Sequence, residues 1–204
     1  MNKWTQLAEK ELLEKTVQVL KNNGIDAFVV DTGEQAKKKV LEILPKNTEV
    51  MNMTSITLDT IGLTKEIIER DTYSAVRKKL MKMDRKTEHV KMQKLGAAPE
   101  WVVGSVHAVT EGGQIVIASN TGSQLSAYAY GSAHVILVVG TQKIVESLEE
   151  GLQRVYEHSL LLEGERVKRV YGLARSAVNK LLIINKEVVQ GRITIIFVKE
   201  VLGF

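Results

Sequence analysis

The side chains best suited to chemistry fall in one stretch, WVVGSVHAVTEGGQIVIASNTGSQLSAYAYGSAHVILVVG, residues 101–140. Glu111 stands directly before Gly112 and Gly113. Glycines let the backbone approach a ligand closely, and a carboxylate on such a turn is presented rather than buried. It could serve as a general base or as a nucleophile forming an acyl anhydride; the alternative is a solvent-facing turn acid. His107 lies four residues earlier, and alternate strand positions share a face, so His107 and Glu111 could address one site. Asn120, Thr121, Gly122 and Ser123 follow a strand-like run and precede a short helical one. Their hydroxyls and backbone N–H groups suit an oxyanion or phosphate cradle, or simply a strand–helix connection capped by Ser123. Thr54 and Ser55 invite the same two readings further upstream. His134 opens an apolar strand and reads as structural.

Several chemistries are disfavoured. The chain has no cysteine, which removes disulfides, thiolate metal sites and cysteine nucleophiles. Its four histidines lack the HxxxH or HEXXH spacing of a metal site, so no metal is expected. Neither the P-loop spacing nor a GxGxxG after the first strand is present, and no cofactor is expected. The amphipathic, charged N-terminus has no secretory pattern, and no apolar run reaches membrane-spanning length. The expected setting is the cytoplasm, without membrane contact.

The elements that must position these residues read as one α/β domain over residues 1–204. An N-terminal helix is expected at 3–22 within an N-terminal segment 1–24, stopped at Asn22-Asn23-Gly24. A short buried strand follows at 26–31. A helix over 32–44 has Thr32 as its N-cap, and a second strand covers 49–53. Strand–helix–strand units of this length pair in parallel with a right-handed crossover. Ligands of open parallel sheets sit beyond the carboxyl ends of strands, which points to Thr54 and Ser55. A helix from Ile56 to about Leu63 is expected next. Residues 73–94 read as a long helical region, with Met81, Met83 and Met92 as core filler. A hairpin turns at 110–114, and strands at 115–119 and 134–139 flank a short helix at 124–130. Helices follow at 142–158 and 165–178, the second carrying Val167, Val170, Tyr171 and Ala174, and strands at 180–184 and 192–198 close the chain.

Charge is uneven. The net charge is +4, yet residues 65–94 alone hold ten Lys/Arg against five acids. This basic part of the helical segment 65–99 could steer an anion or dock an acidic partner. Without interleaved aromatics, nucleic acid is not an expected partner.

The block 101–142, VGSVHAVTEGGQIVIASNTGSQLSAYAYGSAHVILVVGTQK above all, resembles the LUD-domain, or lactate-utilisation, family, and GRITIIFVKEVLGF resembles that family's terminal strand. The resemblance implies an open, mostly parallel α/β sheet flanked by helices, of the sugar-phosphate isomerase and CoA-transferase-like group. It also implies lactate or organic-acid metabolism beside iron–sulfur partner subunits, with electron transfer occurring in a partner. The CoA-transferase branch of that group carries a catalytic glutamate on a similar turn. Glu111 is the position that corresponds, with Gly112 where that branch usually has Asn.

Three functions remain open at this stage. One is an accessory or small-anion-binding subunit with a pocket around Glu111 and residues 120–123. A second is a stand-alone enzyme on a sugar phosphate or acyl-CoA using Glu111. The third is a non-enzymatic interaction module using residues 65–94. Exposed apolar helix faces leave room for a homodimer.

Overall fold

The computed structural model describes residues 2–172 and 174–204, and of Tyr171 the backbone only. Among these residues ten strands form two sheets. Six of them, β1 (Asp26–Val30), β2 (Glu49–Asn52), β3 (Ser74–Ala75), β4 (Trp101–Gly104), β7 (His134–Gly140) and β10 (Ile193–Val198), pair in parallel in the order β1-β10-β7-β4-β2-β3. The other four, β5 (Ala108–Thr110), β6 (Ile115–Ser119), β8 (Ile144–Val145) and β9 (Lys180–Ile184), form a second sheet in the order β8-β5-β6-β9. The fold is an open α/β fold with helices flanking the parallel sheet.

Hydrophobic patterning explains the order. β10 is buried along its whole length and β7 beyond His134, as strands covered on both faces must be. They take the centre. Phe28 and Val29 of β1 remain about 40% exposed, which suits an edge and not the fully buried strand expected there. β1 and β2 share a direction but are not neighbours, because β10, β7 and β4 lie between them.

Alternation along each strand divides the interior. Trp101, Val103, Ile136, Val138, Ile196 and Val198 face a core with the helices α2 (Gly33–Ile43), α3 (Ile56–Thr60) and α4 (Leu63–Glu69). Val102, Val135, Leu137, Val139, Ile195 and Phe197 face the opposite core, shared with α1 (Lys10–Asn22) and with Val109, Ile115 and Ile117 of the second sheet. Ala108, Val116 and Ala118 face outward from that second sheet to a third cluster holding Trp4 and Val155.

Several expected elements are divided. The helix expected over 3–22 begins at Lys10, after a tight turn at Lys3–Thr5. Trp4 is anchored in the third cluster whereas Leu13 and Leu20 enter the second, so one straight helix cannot serve both. The region 73–94 splits into β3, α5 (Val76–Leu80) and α6 (His89–Ala97). Asp84 is one cause: its carboxylate accepts from the Lys86 N–H and the Thr87 hydroxyl, a local turn that competes with helix. Residues 142–158 are also divided. Thr141–Lys143 is a tight turn, Ile144–Val145 pairs with β5, and α7 (Leu148–Arg154) starts only where the Ser147 hydroxyl accepts from the Glu150 N–H. A π-turn at Val155–Ser159 joins α7 to α8 (Leu160–Tyr171), which ends at Gly172 in the left-handed conformation. The helix expected over 165–178 therefore stops early. Leu173 and the Tyr171 side chain lie outside the described residues.

Candidate functional site

A cleft of about 280 Å³ opens at the carboxyl ends of the strands. Thr54 and Ser55 enter it after β2, Ser105 and His107 after β4, Asn120 and Thr121 after β6, and Lys143 after β7; the π-turn between α7 and α8 adds Val155 and Ser159. Its volume suits a small metabolite, at or below the lower end of ordinary ligand pockets.

Lys143 is the most unusual group in it. The residue is 1% exposed, and its Nζ donates to Thr57 Oγ1 at 3.2 Å, Ser105 Oγ at 3.2 Å and the Val106 carbonyl at 3.1 Å. All three partners are neutral. Burial, and then the nearby Arg154 charge, hold its pKa well below the ordinary lysine value. Arg154 is itself buried and donates to the His107 carbonyl at 2.6 Å and to Ser159 Oγ at 3.2 Å. Desolvation lowers its pKa to about 10. Elsewhere on the cleft wall Arg166 grips Glu163 through two hydrogen bonds at 2.6 and 2.7 Å, so the charge of that acid is met locally.

His107 lines the cleft as a neutral ring. Its Nδ1 accepts from the Ala118 N–H at 3.1 Å, which leaves the proton on Nε2. Burial lowers its pKa to about 3, with the Lys143 and Arg154 charges adding to the effect. It can therefore donate a hydrogen bond near neutral pH without bringing charge.

The expected site residues separate into two groups. Thr54, Ser55, His107, Asn120, Thr121 and Ser123 do meet at the cleft. Glu111, Gly112 and Gly113 do not line it, nor does Gly122 within the 120–123 loop. β6 runs about 3.3 Å per residue from Ile115 to Ser119, and the Glu111 turn precedes one end of it while Asn120 follows the other. Glu111 instead pairs with Lys15 of α1 at 3.1 Å, the Gly112 carbonyl accepts from Asn23, and Gly113, at φ +81°, lies against Val19 and Asn23. The turn locks the hairpin to α1. His107 and Glu111 thus serve different places.

The 120–123 loop also differs from the expected cradle. Its Gly122 N–H already donates to Ser119 Oγ and its Ser123 N–H to Thr121 Oγ1, while Lys180 and Asn179 hold Thr121 and Asn120 from behind. What it offers the cleft is side-chain polarity. The helical turn that follows widens into a π-turn at Ala127–Gly131, where the Ser132 N–H reaches back five residues to the Ala127 carbonyl. Ser55 caps α3 by accepting from the Leu58 N–H at 3.4 Å. His134 stacks on Trp101 with ring centroids 4.0 Å apart, a structural role.

A domain-family model, LUD domain, matches residues 13–198. The chain belongs to the LUD domain family. No curated protein matches it significantly. The structure is similar to that of a DUF162 family protein from Deinococcus radiodurans, with 16% sequence identity and a TM-score of 0.58 over 95% of this chain and 99% of that one. At that identity the likeness speaks for the fold.

In this LUD domain Lys143, Ser105, Thr57 and Arg154 were not singled out by sequence reasoning. A signal was available: Lys143 stands three residues beyond the apolar strand HVILVVG, at the carboxyl end that drew attention to Thr54. Assigning 142–158 to one helix hid it. The methionines are also placed differently from the core role expected. Met81, Met83 and Met92, with Met51 and Met53, line an open chamber of about 1000 Å³ that shares Thr54, Thr121, Ser123 and Gln124 with the cleft. No helix among the described residues is long and apolar enough to cross a membrane.

Proposed function

We propose that this LUD domain binds a small anionic metabolite, a carboxylate or phosphate, in the Lys143 cleft. The observation that carries the reading is Lys143 itself: a lysine on the cleft wall, buried, held by three neutral oxygens and by no carboxylate among the described residues. An amine so placed costs stability in the empty protein and recovers it when an anion arrives. The neutral His107, the hydroxyls of Thr54, Ser55, Ser105, Thr121 and Ser123, and the Asn120 amide would supply hydrogen bonds and orientation.

Family membership supports the narrower reading that the ligand is lactate or a related hydroxy or oxo acid of organic-acid utilisation. In that reading electron transfer belongs to iron–sulfur partner subunits and this chain is the acid-binding component. The basic segment 65–94 would steer the anion, although Lys65, Arg70, Lys78 and Lys91 already pair with local acids.

Thermal unfolding with and without L-lactate, pyruvate or inorganic phosphate tests the proposal. A ligand at a hundred times its Kd stabilises the folded state by about 2.7 kcal/mol. A rise in Tm with at least one of these anions that disappears in Lys143→Met supports it; no rise with any of them, or a rise retained in Lys143→Met, counts against it.

A further inference from the structure

Of the three oxygens that hold Lys143, only one can also donate a hydrogen bond to it. Thr57 Oγ1 donates its own proton to the Leu202 carbonyl at 3.2 Å, so toward Lys143 it can only accept. The Val106 carbonyl can only accept as well. These two acceptors use both N–H bonds of an uncharged amine. The third partner is Ser105 Oγ at 3.2 Å, a hydroxyl able to donate or accept. As an ammonium Lys143 donates to all three oxygens; in its uncharged form the third partner must donate instead, and the nitrogen lone pair then faces Ser105, whose side chain borders the cleft.

We infer that Lys143 is a nucleophile that forms an imine with a small anion bearing a carbonyl group, with Ser105 carrying the proton between nitrogen and oxygen. The inference rests on the cleft being the anion site proposed above. In the first step the Nζ lone pair forms a C–N bond to the carbonyl carbon, and the C=O π pair moves to oxygen. Ser105 passes a proton from nitrogen to that oxygen, giving a carbinolamine. A second proton, taken from solvent through Ser105, converts the carbinolamine hydroxyl to water, which leaves as the nitrogen lone pair forms the C=N bond of the iminium; hydrolysis reverses the sequence. No oxidant or reductant is consumed. The empty site disfavours positive charge because Lys143 is buried and Arg154 is near. The iminium restores that charge only when the bound anion is present to offset it, so capture is selective for carbonyl compounds that carry a carboxylate or phosphate.

Reductive trapping decides the matter. Wild-type protein would be treated at pH 7 with cyanoborohydride and, separately, pyruvate, glyoxylate or dihydroxyacetone phosphate, then mapped by peptide mass spectrometry. The expected result is an adduct on Lys143, formed with at least one probe at least about tenfold faster than on any exposed lysine. An exposed lysine, with a pKa near 10.4, keeps under about 0.1% of its amine unprotonated at that pH. Excess L-lactate or inorganic phosphate should suppress the adduct. Ser105→Ala should slow trapping roughly tenfold or more at saturating probe, a loss in the chemical step and not in binding alone. Because the wild-type map needs no variant at Lys143, misfolding cannot mimic failure. If the anions stabilise the protein but no probe labels Lys143 above the exposed lysines, the imine is excluded and the anion site stands. If neither stabilisation nor labelling occurs, both are excluded.

Discussion

The nitrogen of Lys143 lies 3.2 Å from the hydroxyl of Ser105, across a sequence separation of 38 residues. The parallel pairing of β4 with β7 makes this contact, because it sets Gly104 beside Leu137 and brings the segments after both strands to the same end of the sheet. Thr57, beyond β2 on the other side of β4, completes the holder. The cleft thus follows from the strand order: three adjacent parallel strands end together, and the residues just past them converge.

Replacing Lys143 by Met should raise stability while abolishing anion binding, since it removes a buried amine that pairs with no carboxylate among the described residues. The pH dependence carries the sign. The folded-state pKa lies below the unfolded one, so between the two values the unfolded chain holds the extra proton and stability rises with pH. One such group contributes at most about 1.4 kcal/mol per pH unit. Denaturant unfolding of both proteins from pH 6 to 10 should show the gap between variant and wild type narrowing as pH rises.

His107 gives a second pH signature on the acid side. Its pKa falls to about 3 in the folded protein, against about 6.5 unfolded, so from pH 6.5 downward the unfolded state takes up a proton that the folded state refuses. Stability should decline through this window, and the decline should be shallower in His107→Gln. Proton NMR of the His107 ring should show it still neutral at pH 5; a midpoint near 6.5 would contradict the placement.

Glu111→Gln should leave anion binding unchanged. It removes a partly exposed ion pair with Lys15 and should cost no more than about 1 kcal/mol. Loss of binding in this variant, with stability preserved, would return Glu111 to the site.

Gly104→Ala should destabilise the protein by about 1–3 kcal/mol, the usual cost of overpacking. A methyl group there would enter the phenol of Tyr128, which is buried within the core between the two sheets. Tyr128 also borders the cleft, so anion affinity should fall with stability. An unchanged Tm would show that Tyr128 can move.

Much of this architecture was readable from residue patterns. The apolar runs HVILVV and ITIIFV read as strands and prove to lie at the centre of the sheet, and the Thr110–Gln114 turn closes the expected hairpin, with the Gly113 N–H donating to the Thr110 carbonyl at 2.8 Å. The carboxyl ends of the strands carry the cleft, as expected for an open parallel sheet. Local sequence could not reveal that β1 and β2 are separated by three strands, because that order is set by contacts between distant segments. Nor could it reveal which end of the hairpin faces the cleft. Glu111 and Asn120 are both polar and both lie near a glycine, and it is the docking of Asn23 and Val19 on Gly113 that decides between them. Lys143 reads as an ordinary helical lysine until Ile144 and Val145 are seen pairing with β5, which forces Thr141–Lys143 into a turn.

The most direct test of the central claim is calorimetric titration of the wild-type protein and Lys143→Met with L-lactate, pyruvate and inorganic phosphate, repeated in two buffers of different ionisation enthalpy. The account predicts saturable binding of at least one anion to the wild type, with any proton uptake at Lys143 read from the difference between the two buffers, and no binding to the variant. Equal affinity in the two proteins, or no heat with any of the three anions, would contradict it.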